Sequence, residues 1–363
     1  MGNRFIIDLL IIKRNQSSGY QEYIFNLLSY FYNHREDICY KKIVLWCKNT
    51  EIDAFRDYSD KFEIKSFKYS SYLKRFYLQT FLPISEKLQR DDLLFSPGNT
   101  SGLFKRCYEI LTVHDLLFKR KELLPRRAMR WQRQLMIPIS IKKADKIIAI
   151  SNFTKNDIEL YYPNAKEKIE VVYNSMNFKK FNHQPTGHPP KMYFLAICSN
   201  AYHKNFRTIL KAFNIYCQNG GNLNLIFIGK IYESGPAYDE YMSLPENVKR
   251  RITAKSNISN AELGELYENA TCYISASLFE GLGMPVVEAM SFGLPVILSN
   301  IPPHREISQN RGEYFEPTNA IQLAAKMEGV NNIRKDYRNT IMEVFSEKNT
   351  SANYIRIINT FVM

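Results

Sequence analysis

Ten short apolar runs punctuate the chain, and helical periodicity fills much of what lies between them. RFIIDLLII, KKIVLWC, DDLLFSP, EILTVHDL, DKIIAIS and KIEVVYN come first, and KMYFLAICS, LNLIFIG, TCYISAS and LPVILSN follow. Runs of this length, apolar without strict alternation, predict strands covered on both faces. After the run ending at Ser199, residues Phe206, Ile209, Leu210, Phe213 and Tyr216 recur at helical spacing, and Gly220-Gly221 stops that helix before LNLIFIG. Ser259-Asn260-Ala261-Glu262 has the S-x-x-E form of a capping box, opening a helix with Leu263, Leu266 and Tyr267 just before TCYISAS. Strand–helix alternation on this scale predicts an α/β chain of two doubly wound, mainly parallel sheets. HQPTGHPP, rich in Pro and Gly, marks a linker at 183–190 between domains over 1–182 and 191–345. The expected remainder, 346–363, packs back toward the first domain.

Composition leaves this picture globular, with 45% hydrophobic and 23% charged residues in 363. Charge sharpens it. Residues 1–180 hold 32 Lys+Arg against 20 Asp+Glu, net +12, whereas 181–363 hold 17 against 16, net +1. Two stretches stand out in the basic half. Lys119 to Lys143 includes Lys119, Arg120, Lys121, Arg126, Arg127, Arg130 and Arg133, interleaved with apolar residues such as Trp131. Lys61 to Tyr77 mixes five basic with six aromatic residues. Solvated helix faces would account for either alone; together they also suit a surface that meets anionic lipid or nucleic acid. The six cysteines form no C-x-x-C pair, which fits a reducing compartment. Asp8 interrupts the N-terminal apolar run and no small-residue cleavage site follows, so that segment is read as a strand and not a signal peptide. No run reaches the ~18 apolar residues of a membrane span.

Candidate chemistry lies in LFEGLGMPVVEAMSFGLPVILSN. A loop with Gly281 and Gly283 leads into a helix that begins near Met284 and Pro285, at the carboxyl end of a strand, where doubly wound sheets bind ligands. Glycines permit close backbone approach, and a helix N-terminus favours an anion such as phosphate. Glu280 and Glu288 flank the start of this helix, and carboxylates accept paired hydrogen bonds from vicinal hydroxyls of a sugar or ribose.

Here the sequence resembles glycosyltransferase family 4, retaining nucleotide-sugar-dependent enzymes of GT-B fold, in which two Rossmann-like domains face each other across a cleft. The resemblance rests on E-x7-E, Glu280 to Glu288 within EGLGMPVVEAMSFGLPV. It extends through SSGYQEYIFNLL, TVHDL, ADKIIAISNFTKNDI, EVVYN, HKNFRTILKAF, NAELGELYENA and SNIPPHREI. By motif position it implies that Glu280 holds hydroxyls of the donor sugar, Glu288 the nucleoside ribose, and Lys204 the leaving diphosphate. It likewise implies that His114 faces the donor sugar, and that Ser18-Gly19 form the loop near the diphosphate, where the family usually has two glycines. The chain departs from the pattern at Ser199-Asn200-Ala201-Tyr202, where many members carry an Arg; His203 or Asn200 is the substitute cation or hydrogen-bonding group.

The resemblance implies transfer of a hexose or deoxyhexose with retention, the departing phosphate helping to deprotonate the acceptor. It assigns the donor to the second domain and a lipid-linked saccharide acceptor to the first, which rests on the anionic inner face of the cytoplasmic membrane. SNIPPHREI is similar to mannosyl-, fucosyl- and rhamnosyl-transferases of O-antigen or capsule assembly and points to a GDP-linked donor, with UDP or dTDP as alternatives. No D-x-D occurs and no cluster has metal spacing, so no metal or cofactor is expected. A nucleic-acid partner would leave Glu280, Glu288 and the glycine loop unexplained. A catalytically silent relative serving as an assembly subunit stays open, given the absent Arg.

Overall fold

The protein is described from a computed structural model, over residues 2–12, 19–124, 127–181, 193–197, 201–230, 234–330 and 333–362. It divides into two units. The first comprises Met1–Arg120, Pro125–Met176 and Phe345–Met363, the second Lys121–Leu124 and Asn177–Val344. The expected linker at 183–190 lies outside the described residues.

In the first unit, β1 (Gly2–Asp8), α1 (Gly19–Asn33), β2 (Tyr40–Lys48), β3 (Glu63–Phe67), α2 (Tyr72–Ser85) and β4 (Leu93–Ser96) come in succession. Then follow β5 (Tyr108–Val113), α3 (Arg127–Lys143), β6 (Lys146–Ala149), α4 (Asn152–Tyr161) and β7 (Ile169–Val171). All pairs are parallel, in the order β3-β2-β1-β4-β5-β6-β7.

The second unit runs β8 (Tyr193–Ile197), α5 (Phe206–Gln218), β9 (Asn224–Ile228), α6 (Pro236–Ser243), α7 (Glu246–Lys249), β10 (Ile252–Lys255) and α8 (Asn260–Asn269). It continues with β11 (Cys272–Ser275), α9 (Met284–Ser291), β12 (Val296–Ser299), α10 (Pro302–Ile307), β13 (Glu313–Phe315), α11 (Ala320–Glu328) and α12 (Arg338–Val344). Its parallel sheet has the order β10-β9-β8-β11-β12-β13. The last helix, α13 (Glu347–Asn359), belongs to the first unit. There Tyr354, Ile355, Ile357 and Ile358 join the core of β1, β2, β4 and α1, and the Tyr354 hydroxyl lies 2.8 Å from that of Tyr23.

The apolar runs became strands because their side chains are covered on both sheet faces, as in β4 and β12, where every residue is buried. Three strands carry no such run: β3, β10 and β13. Each sits at a sheet edge, half-covered, where a continuous apolar stretch is not needed. Helix α5 buries Phe206, Ile209, Leu210, Phe213 and Tyr216 against its sheet, and Gly220 lies past its end at φ +87°. Ser259 and Glu262 form the reciprocal capping box that opens α8.

Helix α2 packs Leu78 and Leu82 into the core beside Ile6 and Leu94, yet it also turns polar residues inward and apolar ones outward. Arg75 and Gln79 face inward at 5% exposure each, while Leu73 and Tyr77 face outward at 76% and 61%. Phe81 packs at a tilt against Tyr77 and meets Phe104 edge-on, so these rings form an apolar patch on the outer face. No described helix is long and apolar enough to cross a membrane.

Candidate active site

The site in the second unit is built on the carboxyl ends of β8, β11 and β12. Beyond β11 the chain turns through 276–283 into α9. Gly283 caps the helix at φ +102°, and a Cβ there would lie 3.0 Å from Ile307 Cδ1. Glycine is therefore required both by the left-handed backbone and by space. Pro285 has no amide hydrogen and the Val286 N–H donates to the Gly283 carbonyl (2.9 Å), so the helix start offers mainly its dipole to an anion.

A second turn is clamped against this loop. Asn205, left-handed at φ +51°, donates from Nδ2 to the carbonyls of Ala276 (3.0 Å) and Pro317 (2.7 Å), and the Leu278 N–H donates to His203 O (2.7 Å). The clamp places Lys204 over Glu280: Nζ donates to Oε1 at 2.7 Å, and Ser277 Oγ donates to the same oxygen at 2.6 Å. Among the described residues this is the one hydrogen bond of an ammonium that has three donors. Burial alone would raise the Glu280 carboxyl, but the charge of Lys204 and the two hydrogen bonds outweigh it and hold it below the usual carboxylate range.

His304, fully buried on α10, backs the pair. Its Nδ1 donates to Ser299 O (3.0 Å), which leaves Nε2 to accept from Ser275 Oγ (3.3 Å), so the ring is neutral. Burial, helped by the charge of Lys204, pushes it down to about 4. Ile197, Lys204, Ser277, Glu280, Gly283 and His304 line one small pocket. A larger hollow of this unit, bounded by Cys272, Val296, Glu313, Lys326 and Tyr337, opens at the amino-terminal ends of β11 to β13, the end doubly wound sheets do not use for ligands.

Glu288 sits deeper, in α9. Lys180 Nζ donates to its Oε1 (2.7 Å) and the Tyr267 hydroxyl to its Oε2 (2.7 Å); Lys180 also covers the Phe181 ring at 4.7 Å. Lys180, Tyr267, Ser277 and His304 escaped the sequence-based assignment. Nothing in NFKKF marks Lys180, whose partner is 108 residues away; His304 lay within SNIPPHREI without being singled out.

The other predicted residues divide. Gly281, Met284 and Pro285 lie where the motif places them, in the loop and first turn of α9. Asn200 and Arg126 lie outside the described residues, as do the side chains of Arg127, Arg130 and Trp131. In the first unit, Gly19 opens α1 and His114 follows β5. His114 Nε2 donates to Pro97 O (2.8 Å), its N–H donates to Asn99 Oδ1 (2.6 Å), and Tyr20 and Tyr23 meet its ring edge-on at 5.0 Å. Burial lowers its pKa, so it too is neutral.

The basic stretch is partly spent internally. Arg120 grips Asp157 with two bonds of 2.8 Å, and Lys119 lies over the rings of Tyr161 and Tyr162. Lys121 is exposed and Arg133 half-buried. In the other patch Lys65 pairs with Glu86, Lys61 donates to Tyr32 O, and Arg75 is inside; what faces outward there is apolar as much as cationic.

Two doubly wound parallel sheets with a carboxylate–ammonium site at one carboxyl edge define a protein of the GT-B class. Family models described as Glycosyltransferase Family 4 and as Glycosyl transferases group 1 match residues 64–180 and 178–344, and the chain belongs to these glycosyltransferases. The O-antigen chain mannosyltransferase RfbU of Salmonella typhimurium is 30% identical over 190 residues, 51% of this chain and 50% of that protein. The GDP-mannose:cellobiosyl-diphosphopolyprenol alpha-mannosyltransferase of Komagataeibacter xylinus is 28% identical over 202 residues, 54% of this chain and 50% of that one. The chain thus matches about half the length of these curated relatives. A solved glycosyltransferase from Rickettsia africae ESF-5 superposes with a TM-score of 0.70 over 99% of this chain and 98% of its own, at 15% identity, a likeness of fold.

Proposed function

We propose that the protein is a retaining, metal-independent glycosyltransferase. It moves a hexosyl or deoxyhexosyl group, mannosyl first, from a GDP-sugar to a lipid-linked saccharide in O-antigen or capsule assembly. The observation that carries this reading is the Lys204–Glu280 pair held under the start of α9. A fixed ammonium suits the charge that develops on a departing nucleoside diphosphate, and an ionised carboxylate suits the hydroxyls of the sugar being moved. The bond from the anomeric carbon to the diphosphate breaks, the acceptor oxygen bonds to the same face, and its proton leaves with the diphosphate. Glu280 orients the sugar, and Glu288 takes the ribose. The name of the Komagataeibacter xylinus relative supports the GDP-mannose donor and the polyprenol-linked acceptor, and that of the Salmonella relative supports mannosyl transfer in O-antigen assembly.

The outward apolar face of α2, with exposed Lys68 and Lys74 nearby, supports peripheral attachment at the inner face of the cytoplasmic membrane. The test is a thermal-shift panel of GDP-, UDP- and dTDP-sugars on the purified chain, then transfer to a polyprenyl-diphosphate saccharide with and without EDTA. Stabilisation is expected from GDP-sugars, by about 2.7 kcal/mol at a hundredfold excess over Kd. Turnover should survive EDTA and retain the donor's anomeric configuration. Binding without turnover would favour the silent-subunit reading, and an inverted product would overturn the mechanism.

A further inference from the structure

The neighbouring strands β11 and β12 end on Ser275 and Ser299, and the His304 ring bridges these two serines. Its Nδ1 lies 3.0 Å from both the carbonyl oxygen and the hydroxyl of Ser299, and its Nε2 lies 3.3 Å from the Ser275 hydroxyl. The partners fix the protons. A carbonyl can only accept, so the ring hydrogen sits on Nδ1, and the neutral ring leaves Nε2 to take the Ser275 proton. Ser299 Oγ is then free to donate onward, and it does so to the Ser277 carbonyl at 2.6 Å. Ser277 Oγ donates in turn to Glu280 Oε1 at 2.6 Å. Ser277 is thereby held at its carbonyl and at its hydroxyl.

Both hydrogen bonds to the Glu280 side chain, from Ser277 and from Lys204, fall on Oε1; among the described residues none falls on Oε2. The carboxylate is thus saturated on one oxygen and open on the other. His304 itself is 0% exposed, so it does not meet a substrate, and as a neutral ring it adds no charge to the site. What it adds is direction. A Cβ on Gly283 would touch both His304 Cδ2 (3.7 Å) and Glu280 Cγ (3.9 Å), so the ring edge and the carboxylate stem meet around the same glycine. An apolar side chain of similar size would fill this space but would neither bond Ser299 nor accept from Ser275. A neutral imidazole does both at once, and a polar frame in which every member is satisfied holds its geometry tightly.

We propose that His304 is a positioning residue for glycosyl transfer: with Ser275 and Ser299 it holds Ser277, and through Ser277 it holds Glu280 with Oε1 filled from within and Oε2 turned to the donor sugar. The assignment rests on the glycosyl-transfer reading above. The tests use the full chain. With ¹⁵N-labelled histidine, His304, assigned by the signal missing from His304→Asn, is expected to show the neutral Nδ1–H tautomer at neutral pH; an Nε2–H tautomer or a cationic ring overturns the proposal. In transfer from a GDP-sugar to a polyprenyl-diphosphate saccharide, His304→Leu and Ser299→Ala should each lower kcat about tenfold, the worth of one or two hydrogen bonds, while the Kd of GDP stays within about twofold. His304→Asn, which returns a donor on the Nδ1 side, should recover part of the loss. Because His304 acts through Ser277, adding His304→Leu to Ser277→Ala should lower kcat by less than about twofold more. Full additivity, an unchanged kcat in both single variants, or a loss of GDP affinity as large as the loss of turnover overturns the role. If His304→Leu does not fold, Ser299→Ala alone and combined with Ser277→Ala carries the same test. A wild-type chain showing neither transfer nor a GDP-induced thermal shift would overturn the glycosyl-transfer reading and the role built on it; the tautomer, read without substrate, tells that failure from a failure of the frame.

Discussion

Glu280 and Glu288 stand eight residues apart and are furnished alike: each takes one hydrogen bond from a lysine of another segment and one from a hydroxyl. Glu280 has Lys204 and Ser277; Glu288 has Lys180 and Tyr267. The difference is access. The Lys204 and Glu280 side chains are 27% and 13% exposed, whereas those of Lys180 and Glu288 are 10% and 8%. Equal partners in unequal surroundings do different work. A reachable pair can exchange its hydrogen bonds with an arriving diphosphate and sugar at little cost. A sealed pair has lost its water, so its geometry is fixed and it offers only the lone pairs left over.

The sharpest way to break this contrast is to remove each lysine. Lys180→Met takes the cation from a sealed carboxylate and should cost about 3–5 kcal/mol in urea denaturation, whereas Lys204→Met, at the pair that water reaches more easily, should cost less. Equal losses would erase the distinction. Next in size is His304, neutral in the fold with a pKa near 4 against an ordinary 6.5. Between those values the unfolded chain takes up a proton that the folded ring refuses, so stability falls as pH drops from 6.5 toward 4, by up to about 3 kcal/mol. His304→Asn should flatten that slope, and a wild-type curve already flat between pH 6.5 and 4 would contradict the neutral ring. For turnover, Lys204→Met or Glu280→Gln should lower kcat about 10²-fold, near 3 kcal/mol of barrier, with the fold intact by circular dichroism. The smallest effects come from the hydroxyls: Tyr267→Phe and Ser277→Ala each remove a buried donor to a carboxylate and should destabilise by about 1–2 kcal/mol in the same denaturation, and no loss in either would show its hydrogen bond to be idle.

The local parts of this molecule were readable from residue order, and the long-range parts were not. E-G-L-G-M-P predicts its own loop and helix because glycine and proline act on the backbone where they stand. The apolar runs mark the central strands for the same reason. Lys180, by contrast, is one of two adjacent lysines, and only the path of the chain selects it for Glu288. Arg75 belongs by sequence to a cationic surface stretch; the composition of YLKRFYLQT does not say which residues of α2 turn inward, and Arg75 and Gln79 do so while Leu73 and Tyr77 stay outside.

Helix α13 carries a consequence for how the chain is made. Ribosomes deliver residues in order, and domains fold as units once their residues have emerged. The second unit ends at Val344, ahead of the last segment of the first. The first unit waits for Tyr354, Ile355, Ile357 and Ile358 to fill the core beside β1. The half of the protein that leaves the ribosome first is therefore finished last, and a stop codon shortly before residue 354 would spare the second unit while leaving an apolar gap in the first.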